Sequence, residues 1–171
     1  MIVVREEKPD DIAAIRKVNE EAFGQPAEAN IVDKLRENSS DLLSLVAVQE
    51  GQVVGHILFS PARIEGEGKV VEGTGLAPMA VQPEFQRHGI GSRLVQEGIN
   101  MQKSRGSPFI IVLGHPEYYP RFGFERASRY GIHSQWSEVP DEAFMILILN
   151  KTAMVGASGI ASYRKEFDEA K

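Results

Sequence analysis

The sequence predicts a mixed α/β fold: a mostly antiparallel sheet with one parallel join and flanking helices. Three observations predict it. Two segments with apolar residues at helical spacing follow a short first strand. Two apolar strands then flank Glu50-Gly51-Gln52, a hairpin signal. Finally, the stretch from Leu76 to Leu113 reads strand, glycine turn, helix and strand, which is a right-handed parallel crossover by default.

The elements follow in order. Ile2-Val3-Val4-Arg5 is the first strand, and Pro9-Asp10-Asp11 opens a helix with acidic residues where the dipole favours them. Ile12, Ile15, Val18, Ala22 and Phe23 recur at helical spacing and give one apolar face. A second helix spans Ala27 to Glu37, with Ile31, Val32 and Leu35 inward, and Ser39-Ser40-Asp41 breaks it. The hairpin strands are Ser44 to Val48 and Val53 to Phe59. A turn at Glu65-Gly66-Glu67-Gly68 leads into a strand from Lys69 to Val81. The helix after Gly91 puts Leu94, Val95, Gly98 and Ile99 on one face. Phe109 to Leu113 is apolar throughout, as a strand buried on both faces requires. A last strand runs from Phe144 to Leu149, and the tail from Thr152 to Lys171 carries no clear pattern.

Size and charge bound the function. A chain of 171 residues, 42% hydrophobic, can bury a full core, and the reading is a single domain, 1–171. A net charge of −5, with no basic tract to offset it, argues against nucleic acid as the main partner. The absence of cysteine removes disulfides, thiolate metal sites and a cysteine nucleophile. Met1 to Glu7 is too soon charged for a signal peptide, and no apolar run reaches the roughly 20 residues that cross a bilayer. A cytoplasmic protein without membrane contact, monomeric or homodimeric, is expected. His56, His88, His115 and His133 show no metal-ligand spacing, so no metal is expected.

The most informative segment is Gln86-Arg87-His88-Gly89-Ile90-Gly91, where a helix begins. The first N–H groups of a helix have no internal partner, and the macrodipole adds positive charge there, so an anion fits. Gly89 and Gly91 let the backbone turn tightly and a ligand approach closely. The pattern is neither Gly-x-Gly-x-x-Gly nor a P-loop.

These residues resemble the GCN5-related N-acetyltransferase (GNAT) superfamily. Gln86-x-x-Gly89-x-Gly91 is similar to its acetyl-CoA signature, Pro78-Met79-Ala80-Val81-Gln82-Pro83 to its fourth strand, and Tyr118-Tyr119-Pro120-Arg121-Phe122-Gly123-Phe124 to its aromatic-Tyr-x-x-x-Gly-Phe element. The His115 to Tyr119 run and the Gly159-x-x-x-Tyr163 tail look most like an uncharacterised bacterial subgroup of predicted acetyltransferases. The resemblance implies the GNAT fold, in which the strand ending at Val81 splays from the Phe109–Leu113 strand and the pair holds acetyl-CoA as co-substrate.

It also implies roles. The backbones of Met79, Ala80 and Val81 would pair with pantetheine amides as an added strand would. The N–H groups of Arg87, His88, Gly89, Gly91 and Ser92 would hold the pyrophosphate, with Gln86 and Ile90 in the same loop. The Arg87 side chain is a charge-assisted contact or, like Arg93, a solvated helix-start residue. The reaction is attack of a primary amine of a small molecule or peptide on the thioester. Tyr119 aligns with the family's acid, donating a proton to the departing thiolate, while Tyr118 beside it reads as a core tyrosine. A base must also deprotonate the amine, whose pKa is about 10.4. Glu72 is the nearest carboxylate, although Gly75 stands at the matching strand position; His115, where relatives carry an asparagine, is the other candidate. The acceptor would be held by the region Phe23 to Leu35 and the segment Arg129 to Glu142, in which Trp136 lines a pocket or anchors its loop. The alternative function is a non-catalytic acyl-CoA-binding or sensing domain of the same fold.

Overall fold

A computed structural model describes residues 1–169; the last two residues of the expected tail, Ala170 and Lys171, lie outside the described residues. Contacts group the chain into two compact units, one of Met1–Ser60, Ala77–Met101 and the stretch from Lys165, the other of Pro61–Leu76 and Gln102–Arg164. Among the described residues no helix is long and apolar enough to cross a membrane.

In the first unit β1 (Ile2–Glu6) lies antiparallel to β2 (Leu43–Gln49), from Ile2 opposite Gln49 to Glu6 opposite Leu45. β2 turns back into β3 (Gln52–Gly66) through Glu50 and Gly51, whose φ angles of 50° and 79° are both left-handed. Two such residues make the hairpin turn whose twist matches the flanking strands. α1 (Ile12–Phe23) and α2 (Ala27–Asn38) bury Ile15, Val18, Ile31, Val32 and Leu35 against Val46, Val53, Leu58 and Ala80. The apolar spacing read from sequence is that face. Gly24, left-handed at φ 67°, closes α1 and donates its N–H to the Glu20 carbonyl at 2.9 Å. α3 (Ile90–Ser104) starts one residue before the expected Gly91, which therefore sits in its first turn. A Cβ at Gly98 would stand 2.2 Å from the Phe59 ring, so glycine is what lets α3 settle on β3.

A buried polar chain crosses this unit. Arg36 holds Glu7 through two bonds of 3.1 and 3.0 Å, and the Ser44 hydroxyl donates to Glu7. His56, fully buried, places Nε2 2.9 Å from Ser44 Oγ and Nδ1 3.1 Å from the Asn19 amide nitrogen. Since that amide can only donate, the ring proton is assigned to Nε2 and is given to Ser44. The imidazole thus cannot take the serine's proton, and the pair is structural.

β4 (Lys69–Val81), which belongs to the second unit as far as Leu76, runs parallel to β5 (Phe109–Leu113), with Thr74, Gly75 and Leu76 opposite Ile110, Ile111 and Val112. Leaving out Leu113, β5 is buried, as its apolar run requires. β8 (Phe144–Ile148) pairs antiparallel with both β5 and the two-residue β6 (Glu125–Arg126). β9 (Gly159–Ser162) pairs antiparallel with the end of β3 and parallel with β7 (Ile132–Ser134).

Two departures from the sequence reading have physical causes. β3 continues past the expected end at Phe59 to Gly66, through Pro61, whose missing N–H breaks the sequence signal for a strand. β7 and β9 add a second parallel join where one was expected, because segments of three and four residues are too short to show a period.

Candidate functional site

The anion-ready loop belongs to the first unit. Pro83–Phe85 form a single 3-10 turn after β4, and the side-chain amide of Gln86 reaches back to donate to the Val81 carbonyl at 2.8 Å. The first residue of the motif therefore ties the loop to the strand beneath it. Arg87 then takes φ 66° and Gly89 φ 82°. A left-handed arginine is unfavourable, since its Cβ crowds the following carbonyl. Nothing lies within 4 Å of where a Gly89 Cβ would be, so this glycine answers to backbone conformation and not to packing.

Gln86, Arg87, His88 and Gly89 are exposed, whereas Ile90 is buried and anchors the helix start. The helical ladder opens with the Arg93 N–H on the Gly89 carbonyl at 3.1 Å, so the N–H groups of Ile90 and Gly91 precede its first rung. The Arg93 guanidinium is engaged elsewhere, donating to the Ile2 carbonyl at 2.6 Å. Met79 is half-buried, while Ala80 and Val81 are buried. The Ala77–Pro78 peptide before them is cis.

The chemistry-bearing candidates lie in the second unit. Tyr119 opens the 3-10 turn Tyr119–Phe122 and is 6% exposed. Its ring meets Tyr118 and Phe124 edge-on at 5.1 and 5.6 Å, and a Cβ at Gly114 would stand 2.3 Å from it. Burial, with Tyr118 adding to it, raises the Tyr119 phenol well above its ordinary range. A phenol so placed keeps its proton at neutral pH and is a donor. The N–H groups of Tyr118 and Tyr119 both donate to the His115 carbonyl, at 3.1 and 3.4 Å. His115 thus caps the turn that presents Tyr119, with its own side chain exposed.

Glu72 is exposed on β4. Strand alternation gives it the face of Thr74, which is bonded to Gln102 and Ser107 at 3.2 and 2.7 Å. Gly75 faces the other way, and a Cβ there would stand 2.6 Å from the ring of Tyr163. The structure therefore gathers Tyr119 and His115 on one turn and sets Glu72 on the opposite face of β4 from Gly75.

Tyr163 had no role in the sequence reading beyond the tail pattern that contains it. It is buried, stacks on Trp136 at 5.7 Å and 21°, and donates its backbone N–H to the Gln135 side-chain oxygen at 2.7 Å. Its hydroxyl donates to the Leu76 carbonyl at 3.0 Å and lies 3.3 Å from that of Ile111. Trp136 is in this way a loop anchor. In the other expected acceptor region, α2 turns Ile31, Val32 and Leu35 into the core and leaves Phe23 exposed beside it.

Among known proteins, residues 3–127 match the model of the acetyltransferase (GNAT) domain. The chain is 34% identical over 168 residues to the uncharacterized N-acetyltransferase YhbS of Escherichia coli K12, covering 98% of this chain and 99% of the relative. The crystal structure of the Escherichia coli GNAT family N-acetyltransferase YhbS in complex with CoA superposes with a TM-score of 0.89 at 32% identity, over 98% of this chain and 92% of that one. A GNAT family acetyltransferase from Brucella melitensis in complex with acetyl-CoA matches with a TM-score of 0.79 at 35% identity, over 98% and 99% of the two chains. The fold is the α/β GNAT fold, and the chain belongs to the GNAT acetyltransferase family.

Proposed function

We propose that this chain is an acetyl-CoA-dependent N-acetyltransferase that moves the acetyl group to a primary amine of a small molecule or peptide by direct attack. The observation that carries the reading is the exposed loop at the start of α3, with left-handed Arg87 and Gly89 held in place by Gln86. Backbone strain of this kind persists where the surroundings enforce it, and it clusters at ligand sites. The CoA and acetyl-CoA bound by the Escherichia coli and Brucella relatives support the donor.

On this reading the N–H groups from Arg87 to Ser92 receive the pyrophosphate, and the Met79–Val81 backbone receives the pantetheine amides. The amine nitrogen forms a bond to the thioester carbon, the C–S bond breaks, and Tyr119 donates a proton to the sulfur. Of the two candidate bases we favour His115 over Glu72, because it shares the turn of Tyr119. We also read 1–171 as one N-acetyltransferase domain, since the matched residues 3–127 draw on both units.

A free-thiol release assay with acetyl-CoA and a panel of polyamines, amino acids, aminoglycosides and peptide amino termini tests the proposal. Thiol release with at least one amine is expected. The sensing alternative draws on Gly75, where a Cβ would strike Tyr163 and no carboxylate can stand. CoA binding without thiol release for any amine would select that reading, and absence of binding would overturn both.

A further inference from the structure

We propose that Gly114 is a positioning residue for the reaction: the bare Cα that follows β5 sets where the Tyr119 hydroxyl stands. This rests on the reading of Tyr119 as the proton donor, and it adds the residue that aims that donor.

Tyr119 is 6% exposed, and among the described residues its hydroxyl makes no hydrogen bond. A phenol held by no polar partner takes its place from the packing of its ring. Tyr118 and Phe124 meet that ring edge-on, with centroids 5.1 and 5.6 Å away and planes at 82° and 72°. Gly114 meets it differently. A Cβ there would stand 2.3 Å from Cε2 and 2.9 Å from Cδ2 of Tyr119, so the ring edge fills the space a side chain would take.

The backbone at Gly114 is pinned. Leu113 is opposite Phe144, and the Gly114 N–H donates to the Ala143 carbonyl at 2.9 Å, which extends the β5–β8 pairing by one residue. The chain returns on the other side of β8 as β6, with Glu125 opposite Ile146. Between these anchors the Tyr118 and Tyr119 N–H groups bond the His115 carbonyl, and the Gly123 N–H bonds the Pro120 carbonyl at 3.0 Å. One strand thus holds both ends of the segment that carries Tyr119. A methyl group at 114 would meet a ring edge at 2.3 Å where ordinary contact starts at 3.4 Å, so the ring has to yield by about 1 Å. In a close-packed interior that yielding is a tilt of the ring, and the hydroxyl at its far end moves with it. Misplacing a reacting group by about 1 Å can cost on the order of 10²-fold in rate.

Gly114→Ala adds that one methyl group. In thiol release its kcat is expected to fall on the order of 10²-fold, with the KM for acetyl-CoA and the circular dichroism unchanged. In a Tyr119→Phe background the same substitution is expected to cost no further kcat, because the group it displaces is already gone. A kcat kept by Gly114→Ala, or an equal further loss in the phenylalanine background, would overturn the proposal. In the wild-type protein, NMR is expected to show nuclear Overhauser contacts from the Gly114 α-protons to the Tyr119 ε-protons. Their absence would overturn the proposal even if Gly114→Ala does not fold. Should Tyr119→Phe itself keep its kcat, the proton-donor reading fails. A Tyr119→Phe protein that loses kcat beside a Gly114→Ala protein that keeps it removes the positioning role alone.

Discussion

Tyr119 and His56 show how burial assigns a side chain its chemistry. Tyr119 is surrounded by Tyr118, Phe124 and the face of Gly114, and burial keeps its phenol protonated. Tyr119→Phe preserves that packing. Its kcat in thiol release is expected to fall on the order of 10²-fold with CoA affinity unchanged, as loss of a general acid does. An unchanged kcat would remove Tyr119 from the chemistry.

His56 is pushed down from 6.5 to about 4, because burial disfavours the imidazolium. Between those values the unfolded chain binds a proton that the folded chain refuses. The stability this neutral histidine allows is therefore full above about pH 6.5 and is lost as pH falls toward 4. A separation of that size corresponds to roughly 3 kcal/mol. Thermal melts across that interval should show a Tm that declines on acidification, and His56→Gln should flatten the slope. Equal slopes in the two proteins would show that other groups carry the acid sensitivity.

At the scale of elements, the loop before α3 sets stability against function. Arg87 at φ 66° costs roughly 1–2 kcal/mol relative to a residue at ease there. Arg87→Gly should relieve that strain, so denaturant unfolding is expected to show equal or higher stability. The same variant loses a cation and loosens the loop, and its CoA affinity is expected to fall several-fold. A variant that gains stability and keeps its affinity would mean that the strained conformation serves nothing. The other elements were legible wherever a period had room to repeat. α1 and α2 carry enough turns for Ile15, Val18, Val32 and Leu35 to mark a face. β5 is apolar from Phe109 to Leu113, so its identity needed no context. β6, β7 and β9 hold two, three and four residues, and in pieces that short the pairing partner decides the structure.

For the molecule as a whole, a ligand that binds the folded chain adds its binding free energy to stability. CoA at about 100 times its Kd should stabilise the protein by roughly 2.7 kcal/mol, read as an upward shift of the melting transition. The absence of any shift would argue against a CoA site. The donor half of the candidate site was legible because it is made of backbone, and a backbone site needs only a local pattern, Gln86-x-x-Gly89-x-Gly91. That pattern determined the anion-ready loop, the strand–helix–strand around it and the family expectation. What Tyr163 does was decided only by tertiary structure. It stands 87 residues from Leu76 and 52 from Ile111 along the chain, yet its hydroxyl sits between their strands. Strand alternation already set Glu72 and Gly75 on opposite faces, whereas the ring that the Gly75 face meets needed the tertiary structure to be seen. Local motifs encode the conformation of their own backbone, whereas a contact across such separations exists only once the sheet has brought its strands together.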